Sequence, residues 1–131
     1  MAQTFYIGDT HFYHKNIIEY CKRPFVDIYE MNDYMVKKWN EVVTPEDTVI
    51  HLGDYIFANK FAGKELLDKL NGNKILIRGN HDGSVNYMKF MGFTDVVRYI
   101  HKDNLFIIHD PYVIIRDTKR EGAFTLQERY D

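Results

Sequence analysis

Four short apolar runs in this 131-residue chain each stop on a polar side chain able to bind a metal, and this arrangement constrains the fold more than any other feature. Phe5-Tyr6-Ile7 runs into Gly8-Asp9, and Thr48-Val49-Ile50-His51-Leu52 into Gly53-Asp54. Lys74-Ile75-Leu76-Ile77-Arg78 runs into Gly79-Asn80-His81-Asp82, and Leu105 to Ile108 into His109. Runs of this length, bounded by turn-forming residues, read as buried strands. Between them the spacing changes. Met31, Tyr34, Met35, Trp39 and Val42 fall at helical intervals across 30–43, a stripe expected to face the core. Residues 16–20 read as a short helix ended by the extended bias before Pro24. Residues 60–70 read as a helix stopped by Asn71-Gly72, and 84–91 as a weaker one stopped by Gly92. Segment 95–100 reads as one further strand, followed by a hairpin turn at Lys102-Asp103-Asn104 that leaves His101 exposed.

Strand alternating with helix predicts an α/β fold in a single domain over 1–131. In open α/β sheets, ligands collect beyond the carboxyl ends of the strands. The hydrophobic fraction of 45% and aromatic fraction of 15% belong to a globular chain, not a disordered one. A formal net charge of -2 argues against generic duplex-DNA binding. It also disfavours a single-strand nucleic-acid binder working through exposed aromatics. Cys21 is the only cysteine, so no intrachain disulfide forms, and a reducing, cytoplasmic compartment is expected. Cys21 itself is expected to be a small buried hydrophobe. The N-terminus lacks the basic and long apolar regions of a signal peptide, and no run reaches the length of a membrane span.

The strand ends carry the chemistry. Asp9 and His11, one residue apart, point the same way if the segment is extended, because side chains alternate along a strand. A carboxylate beside an imidazole suits manganese, iron or zinc. Asp54 has two oxygens and can bridge two cations, Asn80 offers a neutral amide oxygen, and His109 a second imidazole. Gly8, Gly53 and Gly79 allow sharp turns and close backbone approach. Each signal alone is weak. Their ordered recurrence at strand ends is hard to assign to chance.

The series Gly8-Asp9-Thr10-His11, Gly53-Asp54, Gly79-Asn80-His81-Asp82 and His109-Asp110-Pro111 resembles the calcineurin-like metallophosphoesterase superfamily. The stretch from Asp9 to Ile18, with Arg23-Pro24-Phe25 after it, resembles the superfamily's small bacterial and phage members. The resemblance covers the chain to about Tyr112. It implies a β-sandwich core flanked by helices, and two divalent cations of manganese, iron, zinc or nickel. It further implies that Asp9 and His11 bind one cation, Asp54 bridges, and Asn80 and His109 bind the other. His81 would sit over the substrate phosphate with Asp82 as its partner. The activity implied is hydrolysis of phosphomono- or phosphodiesters, with no choice between nucleotide, nucleic-acid and small-molecule substrates.

The family pattern closes with Gly-His-x-His, whereas no histidine follows His109 here and 115–131 lacks the family's closing strands. A truncated or diverged C-terminus is therefore expected, with weaker metal binding. An alternative is a catalytically impaired relative acting as a metal-binding or interaction module. A shortened sheet would leave an edge that a second copy could cover, so a homo-oligomer is a companion expectation. Two further residues are candidate substrate contacts. His14 could touch substrate, support a metal ligand, or simply start a helix. Arg23 could meet phosphate through its planar fork, or pack structurally. His51, inside a strand, reads as a hydrogen-bonded structural histidine.

Overall fold

A computed structural model of the chain describes residues 2–110. Strands β1 (Thr4–Ile7), β2 (Thr48–His51), β3 (Asn73–Ile77) and β4 (Asp95–Val97) form a parallel sheet in that order. Between β1 and β2 lie helices α1 (Lys15–Tyr20) and α2 (Ile28–Val42), between β2 and β3 lies α3 (Lys60–Lys69), and between β3 and β4 lies α4 (Val85–Met91). Strands β5 (Tyr99–Lys102) and β6 (Leu105–Ile108) pair antiparallel as a second, two-stranded sheet. No described helix is long and apolar enough to cross a membrane.

The helices begin where side chains satisfy orphan N–H groups. Asp27 accepts from Glu30 N ahead of α2, Asn59 from Phe61 N and Ala62 N ahead of α3, and Ser84 from Tyr87 N ahead of α4. Side-chain alternation divides the parallel sheet between two cores. Val49, Leu76 and Val96 face a cluster that includes Trp39 of α2, Leu66 and Leu67 of α3, and Met88 and Met91 of α4. Ile50, Ile75, Ile77 and Val97 join Ile100 of β5, with Ile107 of β6 packed against them. The result is an α/β fold in which two sheets share one core while helices cover the other face of the parallel sheet.

Three local expectations change. Segment 95–100 is two strands: β4 completes the parallel sheet, and after Arg98 the chain passes to the hairpin. Both pieces are apolar, so periodicity alone does not reveal a change of sheet. His101 lies inside β5, half-buried with its ring 5.8 Å from Phe106, rather than exposed ahead of the turn. Cys21 caps the C-terminal end of α1 and is exposed, because α1 is six residues long and buries only Ile17.

His51 is structural, in keeping with the reading from sequence. It is fully buried. Gly53 N donates to its Nδ1 at 3.0 Å, which leaves the proton on Nε2, 2.9 Å from Thr10 Oγ1. Thr10 in turn donates to Tyr55 O at 2.7 Å. This chain has no place for a second imidazole proton, and burial pulls the His51 pKa from 6.5 down to about 3. Between those values the unfolded chain binds the proton and the folded chain does not. The stability is therefore complete above about pH 6.5 and is lost progressively as the pH falls toward 3. In chelator, urea unfolding is expected to show roughly 2 kcal/mol less stability at pH 5 than at pH 7 from this group. His51→Gln, which cannot titrate, should remove that part of the slope. An unchanged slope would show that another group carries it.

Candidate metal centre

The centre lies beyond the carboxyl ends of β1, β2 and β3, where two loops run side by side. Asp9 N donates to Gly53 O, His11 N to Asp54 O and Phe12 N to Tyr55 O, at 2.9–3.0 Å. Asp9 (φ 52), His11 (φ 49) and Asp54 (φ 56) all adopt left-handed backbone, sparsely populated by non-glycine residues and a form of strain that gathers at functional sites. The convergence of Asp9 with His11 thus comes from a kinked loop and not from alternation along an extended strand, since β1 has already ended at Ile7.

Glycines make the close approach possible. Gly53 has φ 110, and a Cβ there would lie 2.6 Å from His109 Nδ1 and 2.9 Å from Gly79 Cα. A Cβ on Gly79 would lie 2.5 Å from Asp54 Oδ1. Side chains at either position would push the strand-end loops apart.

Two donor groups meet at Asp54, which is buried. One ligand atom each from Asp9, His11 and Asp54 lie within 4.8 Å of one another. His11 Nε2 is 3.9 Å from Asp9 Oδ1 and 3.7 Å from Asp54 Oδ2. On the other side, His109 Nε2 is 3.4 Å from the same Asp54 Oδ2 and 2.9 Å from Asn80 Oδ1. His109 Nδ1 donates to the Leu52 carbonyl at 2.8 Å, so in the neutral ring Nε2 presents a lone pair. Lone pairs of an imidazole, an amide and a carboxylate facing one another repel unless a cation lies among them. The donor set of carboxylate, imidazole and amide oxygen fits a divalent transition metal. Burial lowers the His11 pKa, against the opposing pull of Asp54, and so favours the neutral ring that a metal would need.

The supporting residues differ from expectation. Asp82 does not orient His81. Its carboxylate accepts from Gly79 N at 2.7 Å, Asp54 N at 2.8 Å and Tyr55 N at 2.9 Å, clamping the β2 and β3 loops together. Burial raises the Asp82 pKa, while these N–H donors favour its anion. His81 is tied instead through its backbone N, which donates to Asp54 Oδ1 at 3.0 Å, with its ring exposed and 6.2 Å from that of His11. Arg23 directs its guanidinium at Thr10 O (2.8 Å) and Asp9 O (3.0 Å), so it holds the ligand loop, the structural one of the two roles its sequence position left open. His14 places Nδ1 3.1 Å from His11 Nδ1 and stacks on Phe57 at 4.7 Å. Sequence reasoning missed Asn32, whose Oδ1 accepts from Tyr13 N, and Thr10, which links the loop to Tyr55. A polar residue beside Met31 on the buried face of α2 was the available signal.

The model of calcineurin-like phosphoesterases matches residues 4–126. The chain belongs to the calcineurin-like phosphoesterase family. Among similar proteins, it is 44% identical over 113 residues to the uncharacterised protein MJ1445 of Methanocaldococcus jannaschii, covering 85% of this chain and 60% of that one. It is 34% identical over 86 residues to the Gene 66 protein of Mycobacterium phage L5, covering 63% of this chain and 41% of that protein. The crystal structure of AQ665 from Aquifex aeolicus, a protein of unknown function, superposes with a TM-score of 0.62 at 32% identity, over 78% of this chain and 56% of the other. The chain thus spans about three fifths of the length of MJ1445. The family uses divalent metals on phosphate esters, and Asp9, His11 and Asp54 form a group that could hold one. The segment 115–131, where closing ligands were sought, lies outside the described residues.

Proposed function

We propose that this chain hydrolyses phosphate esters using two divalent cations, one held by Asp9, His11 and Asp54, the other by Asp54, Asn80 and His109. The observation that carries this reading is the placement of a single oxygen, Asp54 Oδ2, within 3.7 Å of His11 Nε2 and 3.4 Å of His109 Nε2. Bound there, the cations would polarise the phosphoryl oxygens and lower the pKa of a water. The protein supplies the rest. Asp54 keeps the two donor groups in register, and its Oδ1 holds the His81 backbone. Asp82 keeps Asp54 in place through the Asp54 and Tyr55 amides. Arg23 anchors the Asp9 carbonyl, and His14 sets the ring of His11. The exposed His81 ring would hand a proton to the departing oxygen, a contribution worth about 10²–10⁴-fold.

His81→Ala is therefore expected to keep its bound metal and to slow esters with poor leaving groups by about 10²–10⁴-fold. Nitrophenyl esters, whose leaving group needs little protonation, should be slowed far less. Metal analysis beside assays on both ester types checks this, and equal slowing of the two would remove the proton-donor role. Metal bound without turnover of any mono- or diester would instead favour a metal-binding module.

A further inference from the structure

Next to His81, a cavity of about 380 Å³ opens at the surface. That volume lies in the range that takes small organic ligands. Buried Ile56, Met88 and Met91 give it an apolar base, and Phe57 and Tyr87 add aromatic rings. Phe57 is one of several large apolar side chains left in water, among them Phe61 and Tyr20, and it is the one of these that lines the cavity. It is 60% exposed, and it does not lie loose: the His14 ring stacks on it at 4.7 Å with 22° between the planes. His14 is in turn bonded to His11. The ring is thus held in a fixed orientation by the metal-ligand loop, with most of its surface open.

The charge of the lining limits what can enter. Among the described residues lining the cavity there is no lysine or arginine, and Asp82 is the one carboxylate. A group bearing a second phosphate would meet no counter-ion there and would be disfavoured. A neutral planar ring would gain stacking on Phe57 and contact with the methionine thioethers, both favourable to aromatic surfaces. His81 lines this cavity and also hangs from Asp54 Oδ1, so an ester whose phosphate sits at the metal ligands would extend its organic group past His81 into it.

We infer that the cavity between Phe57 and Tyr87 receives a neutral aromatic ring carried by the phosphate ester, either a nucleobase or an aryl group. The inference rests on the phosphoesterase reading for the position of the phosphate, but the ring site itself needs no metal. Binding to the intact chain in chelator, followed by ligand-observed NMR, tests it without turnover. Adenosine 5′-phosphate or phenyl phosphate is expected to bind at least about tenfold more tightly than ribose 5-phosphate, the scale of one stacked ring. Preference for adenosine 5′-phosphate identifies a nucleotide ester, and preference for phenyl phosphate an aryl ester. Phe57→Ala should bring the three within about twofold, a loss consistent with removing the stack, while Phe57→Tyr should keep the preference. Phe57 is largely exposed, so the folded state tolerates both changes. Equal binding of all three probes overturns the inference, as does a ring preference that survives both Phe57→Ala and Tyr87→Ala. A chain that prefers the ring yet turns over no ester with metal would refute the phosphoesterase reading and leave the ring site standing.

Discussion

Asp54→Asn is expected to strip the chain of most bound divalent metal and to lower ester turnover by about 10²–10³-fold or more, the scale of removing one principal electrostatic element from a site. The reason is that one oxygen serves both donor groups: Oδ2 faces His11 Nε2 at 3.7 Å and His109 Nε2 at 3.4 Å. Asparagine keeps the shape and can still accept from His81 N through Oδ1. It loses the negative charge that would offset the two proposed cations, and an amide nitrogen at Oδ2 would present hydrogens to them. The metal-free variant should accordingly melt near the parent. Asp9→Asn is expected to have the smaller effect, because Asp9 has a side chain 65% exposed and belongs to one donor group only. Metal per chain by elemental analysis, beside turnover of a nitrophenyl diester, checks both. If Asp9→Asn costs more metal than Asp54→Asn, the bridging role is wrong.

Asp82→Ala is expected to lower stability by about 3–5 kcal/mol, even with metal chelated. Its carboxylate satisfies three backbone N–H groups, from Gly79, Asp54 and Tyr55. Removal leaves those donors without their charged acceptor in a largely enclosed place, each at a cost of about 1–3 kcal/mol. Asp82→Asn should recover little, because its amide NH₂ would confront one or more of the same donors. The melting temperature should fall by roughly 10–20 °C. Metal affinity should fall with it, since Asp54 is placed by that clamp. A variant that melts like the parent but loses only turnover would return Asp82 to the role of orienting His81.

These two residues mark the boundary of what local pattern reveals. The strand-like runs before Asp54 and Asn80 are visible in the sequence because burial on both faces demands unbroken apolar residues, and glycine follows where the backbone must turn. The run before Asp9 is equally apolar, yet β1 leaves Tyr6 and Ile7 exposed, so the expectation of a buried strand fails there. The helical stripe of 30–43 is visible for the same kind of reason, a period of 3.6 residues against a core, but only Met31 and Trp39 of it are buried, while Tyr34 and Val42 at its margins stay exposed. Cys21 and His101 were misplaced because exposure depends on what packs over a residue, which neighbours in sequence do not state. Asp82 was misassigned and Arg23 left open because a charged side chain beside a metal motif suggests substrate or proton chemistry, while a buried backbone amide or carbonyl competes for the same groups.

The amino-acid sequence by itself determined the alternation of strands and helices as far as α4, the α/β character, and the set of polar residues delivered to the strand ends. Those follow from periodicity and turn chemistry acting over a few neighbouring residues. Only the tertiary structure decided how that set is used. Asp82 finds two of its three backbone partners 27 and 28 residues away, Arg23 reaches back 14 residues to Asp9 O, and His109 crosses 57 residues to Leu52 O. Such partners are chosen by which loops the sheet brings side by side, so the face that Asp54 Oδ2 shows to both histidines is a property of the assembled sheet and not of any segment in it.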